Sequence, residues 1–167
     1  MLACRNEQVH PRLVMYMDGS IREQVVEDLY TEALALAEEA RGVFDLRDRH
    51  LNGERPDKLS IAMSIEGLRT TTRVMHVLAW LLNQRAFQSG ELSETQVLAH
   101  GTLGEERPSD PDNMALLELT TRSLIRDTER LYARVRRLDE EQRHRDDTAK
   151  ISVHGLQGRI AEAFDAN

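Results

Sequence analysis

The sequence predicts an all-α protein, and three observations carry that expectation. Apolar residues recur at steps of three and four along three long segments. Leu, Ala, Glu and Arg dominate the chain, and all are good helix formers. No segment reads as a convincing strand. The expected architecture is an antiparallel three-helix bundle with a short extra helix and a flexible C-terminal tail. The chain divides accordingly into a flexible N-terminal segment at 1–19, a helical bundle domain at 20–149 and a mobile tail at 150–167.

The 167 residues are enough for one domain with a real core, and 40% apolar with 31% charged residues fits a folded chain. His10-Pro11 and Asp18-Gly19 interrupt any period near the start. Ser20 opens S-I-R-E, a capping box with Glu23 at its third position. Val25, Val26, Leu29, Tyr30, Ala33, Leu36, Ala37, Ala40, Val43 and Phe44 follow at helical spacing, so the first helix is expected over 21–49, closed by Asn52-Gly53. Pro56 suits the first turn of a second helix at about 57–89, with Gly90 at its C-terminal cap. Ser93 and Gln96 make a second capping box for a short helix at 94–100. Gly101, Gly104, Pro108 and Pro111 mark a loop.

Asp110-Pro111 reads as N-cap and first residue of the third helix. Its stripe is Met114, Leu117, Thr121, Leu124, Thr128, Leu131, Val135 and Leu138. Leucines seven apart resemble a zipper, but Ile125 and Tyr132 widen the face, which is the mark of a helix in a compact bundle. After Leu138 comes a solvated charge run, and only a weak helical pattern follows Lys150.

Several function classes lose support on composition and spacing. The net charge is −7, and the densest basic run, Arg134, Arg136 and Arg137, meets Asp139, Glu140 and Glu141 at once. A nucleic-acid binder would show a concentrated basic face, so no nucleic-acid partner is expected. Cys4 is the sole cysteine, which fits a reducing cytoplasm. Met1-Leu-Ala-Cys4 lacks the basic and apolar regions of a lipoprotein signal, and the Val74–Leu82 run is too short for a bilayer. No membrane association is therefore expected. His10, His50, His76, His100, His144 and His154 show no metal-ligand spacing, Glu38 and Glu39 diverge on one helix, and Gly101 and Gly104 precede no G-K-[ST]. No catalytic residue, metal or cofactor is expected, and the chain reads as a non-enzyme.

The second helix holds the candidate binding residues. Ile61, Ile65, Leu68, Thr72, Met75, Ala79, Leu82 and Ala86 form one stripe at steps of three or four, and at 100° per residue Ile61, Leu68, Met75, Ala79, Leu82 and Ala86 cluster on one side, assigned here to the core. Glu66, Arg69, Thr70, Arg73, Val77, Trp80 and Gln84 lie opposite. One reading covers Val77 and Trp80 by the 91–105 segment or by a wide core. The other makes Arg69, Arg73, Val77, Trp80 and Gln84 a protein-binding surface, because a Trp ringed by Arg and Gln has the makeup of an interface hot spot.

The same residues carry a family resemblance. S-I-E-G-L-R-T-T-T-R-V-M-H-V-L-A-W-L-L-N-Q-R-A-F-Q-S-G-E-L resembles the signature of the alphaproteobacterial regulator of CtrA degradation family (RcdA, DUF1465), most specifically in L-R-x-T-T-R-x-M, A-W-L-L, Q-R-A and G-E. L-Y-T-E-A-L-A-L-A-E-E-A-R is similar to that family's first helix. The likeness covers about 20–96; F-D-L-R-D-R-H-L-N-G departs from the family's Tyr-Leu-Asp-Gly type of ending. The resemblance implies a small helical adaptor of the ClpXP protease. Its implied partners are the ClpX unfoldase, a response-regulator-like priming protein, cargo proteins and a second copy in a homodimer. It implies a cytoplasmic protein that can concentrate at a cell pole. Two other readings are a dimerisation or signalling scaffold with no protease link and, more weakly, a helical DNA-binding regulator.

Overall fold

The computed structural model describes the backbone of residues 11–45 and 57–165, and the side chains of 22–45, 57–99 and 101–145. Among these there are five helices and no strand: α1 (Pro11–Phe44), α2 (Lys58–Gln88), α3 (Glu94–His100), α4 (Pro111–Leu116) and α5 (Leu119–Asp165). The fold class is all-α, as the periodicity predicts.

Local chemistry fixes most helix ends. The Asp57 carboxylate caps α2 by accepting from Ser60 N at 2.7 Å. At the other end Gly90 takes φ +78°, and Glu91 and Leu92 N–H return to Ala86 O. The Ser93–Gln96 capping box of α3 is fully formed. Asp110 caps α4 through Asp112 N and Asn113 N, with Pro111 in the first turn.

Three boundaries differ from expectation. The α1 backbone is already helical from Pro11 and passes through Asp18-Gly19-Ser20, so the Ser20 capping box does not start it. The expected close of the first helix, beyond Asp45, lies outside the described residues. The expected single third helix is two: Leu117 is extended (φ −83°, ψ 153°), which swings its side chain into a cluster with Ala62, Met63 and Ile125 and breaks the helix between α4 and α5. The α5 backbone then continues to Asp165, through the segment expected to be a tail.

The directions of the long helices set the topology. Glu27 in the middle of α1 meets Arg85 near the end of α2, while Phe44 at the end of α1 packs on Gly67, near the middle of α2. Arg22 and Glu32 of α1 meet Gln142 and Arg134 of α5 in reverse order. So α1 runs antiparallel to both neighbours. Between α2 and α5, Arg73 reaches Thr128 and Trp80 reaches Asp139, an ascending order that makes this pair parallel. Parallel neighbours need a long crossover, where the sequence reading had short connections. Residues 89–118 supply it and run back along α2.

Two apolar clusters fill the bundle. One joins Val26, Leu29 and Ala33 of α1, Val77, Trp80 and Leu81 of α2, Leu103, and Leu131, Tyr132 and Val135 of α5. The other is the Ala62–Met63–Leu117–Ile125 cluster, edged by Val43, Phe44 and Met114. Leu117, Leu124 and Leu131 are buried within the single chain, as the bundle reading of the third helix requires. Thr121 and Thr128 are buried beside them.

Candidate functional site

The second helix is turned over relative to the sequence reading. Its buried face carries Glu66, Thr70, Arg73, Val77, Trp80 and Gln84, together with Ala62, Met63, Gly67, Val74 and Leu81. Its open face carries the row assigned to the core: Ile61 is 47% exposed, Ile65 38%, Leu68 71%, Met75 63% and Leu82 48%. Ala79 is exposed as well. Of the five candidate binding residues, Arg73, Val77, Trp80 and Gln84 are buried, and only Arg69 retains partial exposure. Their expected placement on an accessible surface is therefore corrected, and the wide-core reading describes Val77 and Trp80.

The physical reason is that this interior is polar and internally paired. The Arg73 side chain is 1% exposed. Its Nε donates to Glu106 at 2.8 Å, Nη1 to Thr128 Oγ1 at 2.9 Å, and Nη2 to Arg107 O at 3.3 Å, with Ser109 and Glu129 at 3.5 Å. Ser109 in turn donates to Glu129 at 2.7 Å. Two turns earlier, the fully buried Glu66 accepts on Oε1 from Arg69 at 2.6 Å, Asn113 at 3.1 Å and Asp110 N at 3.2 Å. An ion this deep persists only when paired and hydrogen-bonded, and both are, Glu66 through Oε1 alone: its Oε2 and Thr70 Oγ1 are buried with no hydrogen-bond partner among the described residues. Trp80 Nε1 donates to Asp139 at 2.9 Å, and Arg143 holds the other carboxylate oxygen at 2.6 Å.

The anchors pin the crossover as a strap. From Gly101, beside Gln84, to Asp110, on Glu66, ten residues cover a stretch of α2 about 27 Å long, against a fully extended reach of about 33–36 Å. The strap is thus nearly drawn out, and its backbone needs partners from α2 and α5. Tyr132 Oη donates to Gly104 O at 2.7 Å, and burial pushes the Tyr132 phenol above its ordinary value of 10.0. Gly104 lies against the His76 ring so closely that a Cβ there would stand 2.6 Å from it.

Of the clefts along the open row of α2, two are largely apolar. One, of ≈ 560 Å³, lies between Ile65, Leu68 and Thr72 and the strap at Gly104–Arg107, with Arg73 and His76 at its side. The other, of ≈ 410 Å³, lies between α1 at Ala37–Phe44 and the Thr71, Met75 and Leu78 side of α2. Both are wide and largely apolar, a shape suited to side chains of another protein. Among the described residues no group of three or more His, Cys, Asp or Glu could hold a metal ion, and no helix is long and apolar enough to cross a membrane.

Residues 17–164 match the sequence pattern of a family described as "Protein of unknown function (DUF1465)". The chain belongs to the DUF1465 family. Among solved structures this DUF1465 protein is similar to RcdA from Caulobacter crescentus CB15. The two are 31% identical, with a TM-score of 0.52, over 70% of this chain and 90% of the RcdA chain. No curated protein matches the DUF1465 chain in sequence.

The open row that the sequence reading placed in the core had its own signal. Ile61, Ile65, Leu68, Thr72, Met75, Ala79, Leu82 and Ala86 follow strict alternating steps of four and three, a narrow heptad seam. The buried face is broader and mixes Gly67, Thr70, Val74, Trp80 and Leu81, a globular packing pattern.

Proposed function

We propose that the protein is a non-enzymatic adaptor in regulated proteolysis, which helps deliver substrates to the ClpXP protease during cell-cycle control. The observation that carries this reading is membership of the DUF1465 family together with 31% identity to RcdA over most of that chain. RcdA's family is linked to degradation of CtrA. The structure supplies what an adaptor needs: a well-packed helical body and an apolar surface left open on α2. Its partners in this role are ClpX, a response-regulator-like priming protein and cargo proteins, and the adaptor works as a homodimer. The setting is the cytoplasm, with concentration at a cell pole during the cell cycle.

The test is reconstitution. Purified ClpXP, the priming protein and a candidate cargo are combined with and without this protein. Faster loss of cargo in its presence is the expected result. A cargo rate that never depends on it, across the cargoes whose turnover requires it in cells, would reject the adaptor role. The open α2 row also favours a scaffold that only joins helical proteins. A pull-down that retains helical partners but no ClpX would support that second reading.

A further inference from the structure

We propose that the outer crest of α5 docks a short acidic segment of a partner protein, with Arg122, Arg126, Arg130 and Arg137 receiving its carboxylates. This surface is separate from the open α2 row, and it goes beyond the protease reading. The first ground is placement. At 100° per residue these four arginines fall within an arc of about 80°, with Ala133 inside it, over roughly 22 Å of helix. Arg126, Arg130 and Arg137 are exposed, and Arg122 is half-buried. The arc lies between the side of α5 that meets α1 through Arg134 and the side that meets the strap through Glu129 and Tyr132.

The second ground is the charge that the fold leaves over. The stretch 119–138 holds six arginines against Asp127 and Glu129, a net of +4, in a chain whose net is −7. A stretch with the chain's average composition would be negative. Both carboxylates are already engaged: Asp127 pairs with Arg130, and Glu129 meets Ser109 and Arg73. The arginines beside the crest find acids of their own, Arg134 on Glu32 and Arg136 on Glu140. Arg126 and Arg137 have no carboxylate partner among the described residues; Arg137 donates only to Ala133 O, at 3.3 Å. Arg122 has none either, and its Nε is buried without a hydrogen-bond partner among the described residues.

The extent of the charge selects the occupant. A guanidinium fork matches a carboxylate with two parallel hydrogen bonds, and the small Ala133 side chain lets a partner come close between the forks. The crest is also short and bounded by acid. Glu118 stands before it, and Glu140 and Glu141 follow it. Alongside, α1 carries seven carboxylates against two arginines over 22–45. A nucleic acid is a continuous polyanion and would meet that acid at once. A helical segment of about fifteen residues with a few Asp or Glu matches the length of the crest and ends where the basic charge ends. Exposed contacts of this kind govern approach and choice of partner more than tightness.

Fluorescence anisotropy on the full chain tests this, with a labelled helical peptide of Glu and Ala about fifteen residues long as the probe. The peptide should bind at low salt and be released as salt rises. Arg126→Glu with Arg137→Glu should weaken binding at least about tenfold with helical circular dichroism unchanged, since both side chains are exposed. Arg126→Gln with Arg137→Gln should give a smaller loss, and it keeps the test open if the charge reversal disturbs folding. The control is Arg41→Glu with Lys58→Glu, which changes the net charge by the same amount on exposed sites of α1 and α2 and should bind as the unaltered chain does. Equal losses from the crest pair and the control pair would show an effect of total charge alone and overturn the proposal. So would an absence of peptide binding at low salt, or binding indifferent to the crest variants. Duplex DNA held more tightly than the peptide, and lost with the same variants, would make the crest a nucleic-acid surface and overturn it as well.

Discussion

Replacing Arg73 by Met keeps the buried stem and removes the charge. Arg73 holds Glu106, Thr128 and the Arg107 carbonyl at 2.8–3.3 Å, with a side chain 1% exposed. Breaking a buried ion pair by deleting one partner costs about 3–5 kcal/mol, because a charge is left uncompensated. Here the stranded carboxylates are Glu106 and Glu129, whose side chains are 24% and 33% exposed, so water can recover part of that loss. Thr128 Oγ1 also keeps its bond to Ile125 O at 2.7 Å. The expected cost is therefore about 2–4 kcal/mol. It should fall first on the strap, since Arg73 is its central anchor. Urea unfolding followed by Trp80 fluorescence measures the total, and amide hydrogen exchange over residues 101–110 locates it. A triple variant that adds Glu106→Gln and Glu129→Gln should recover part of the stability, because no unpaired ion then remains. A loss under about 0.5 kcal/mol with unchanged exchange in the strap would refute this account of the polar interior.

Leu131→Ala should cost about 2–5 kcal/mol in chemical denaturation, since the side chain is fully buried; a change that left the folded monomer's stability intact and only split a dimer would restore the zipper reading. Val77→Ser with Trp80→Ser should unfold the bundle, seen as lost helical circular dichroism, and a stable, helical variant would show that the pair is not core. Gly67→Ala should destabilise despite alanine's better helix propensity, because its Cβ would stand 2.8 Å from the Phe44 ring; a rise in melting temperature would contradict this. Tyr132 predicts a pH effect. Its folded value is raised, so the unfolded state loses the proton first, and the contribution is intact below pH 10.0 and lost as pH rises from there through the folded value. Tyr132→Phe should flatten that alkaline decline in a stability-versus-pH series, and an unchanged slope would assign the decline to other groups.

Where the chain signals through neighbours a few residues apart, the sequence was legible. The Ser93–Gln96 box, the Asp110-Pro111 start and the Gly90 cap each act within one turn, and each stands where expected. The inward stripe of α5 was legible for the same reason, since one face is plainly richer in leucine. For α2 the period was right and the sign wrong. Both of its faces are apolar, so the reading sorted them by where Glu66, Arg69, Arg73 and Gln84 fell and sent those residues to water. Their interior partners lie far away in sequence: Glu106 is 33 residues from Arg73, Thr128 is 55, and Asn113 is 47 from Glu66. A helical wheel has no access to such pairs. The parallel course of α2 and α5 was hidden likewise, because the crossover carries only turn residues and two short helices.

That crossover also dictates an order of assembly. α1 and α2 are sequence neighbours and antiparallel, so they can meet at small entropic cost. α5 can reach its parallel seat beside α2 only after the strap has run the length of that helix, and its key contacts close loops of 55–59 residues. The α1–α2 hairpin is thus expected to form early and α5 to dock late. Until it docks, α2 exposes apolar side chains on two opposite sides at once, a species prone to sticking to other chains at high concentration. Recovery after denaturation should accordingly fall as protein concentration rises.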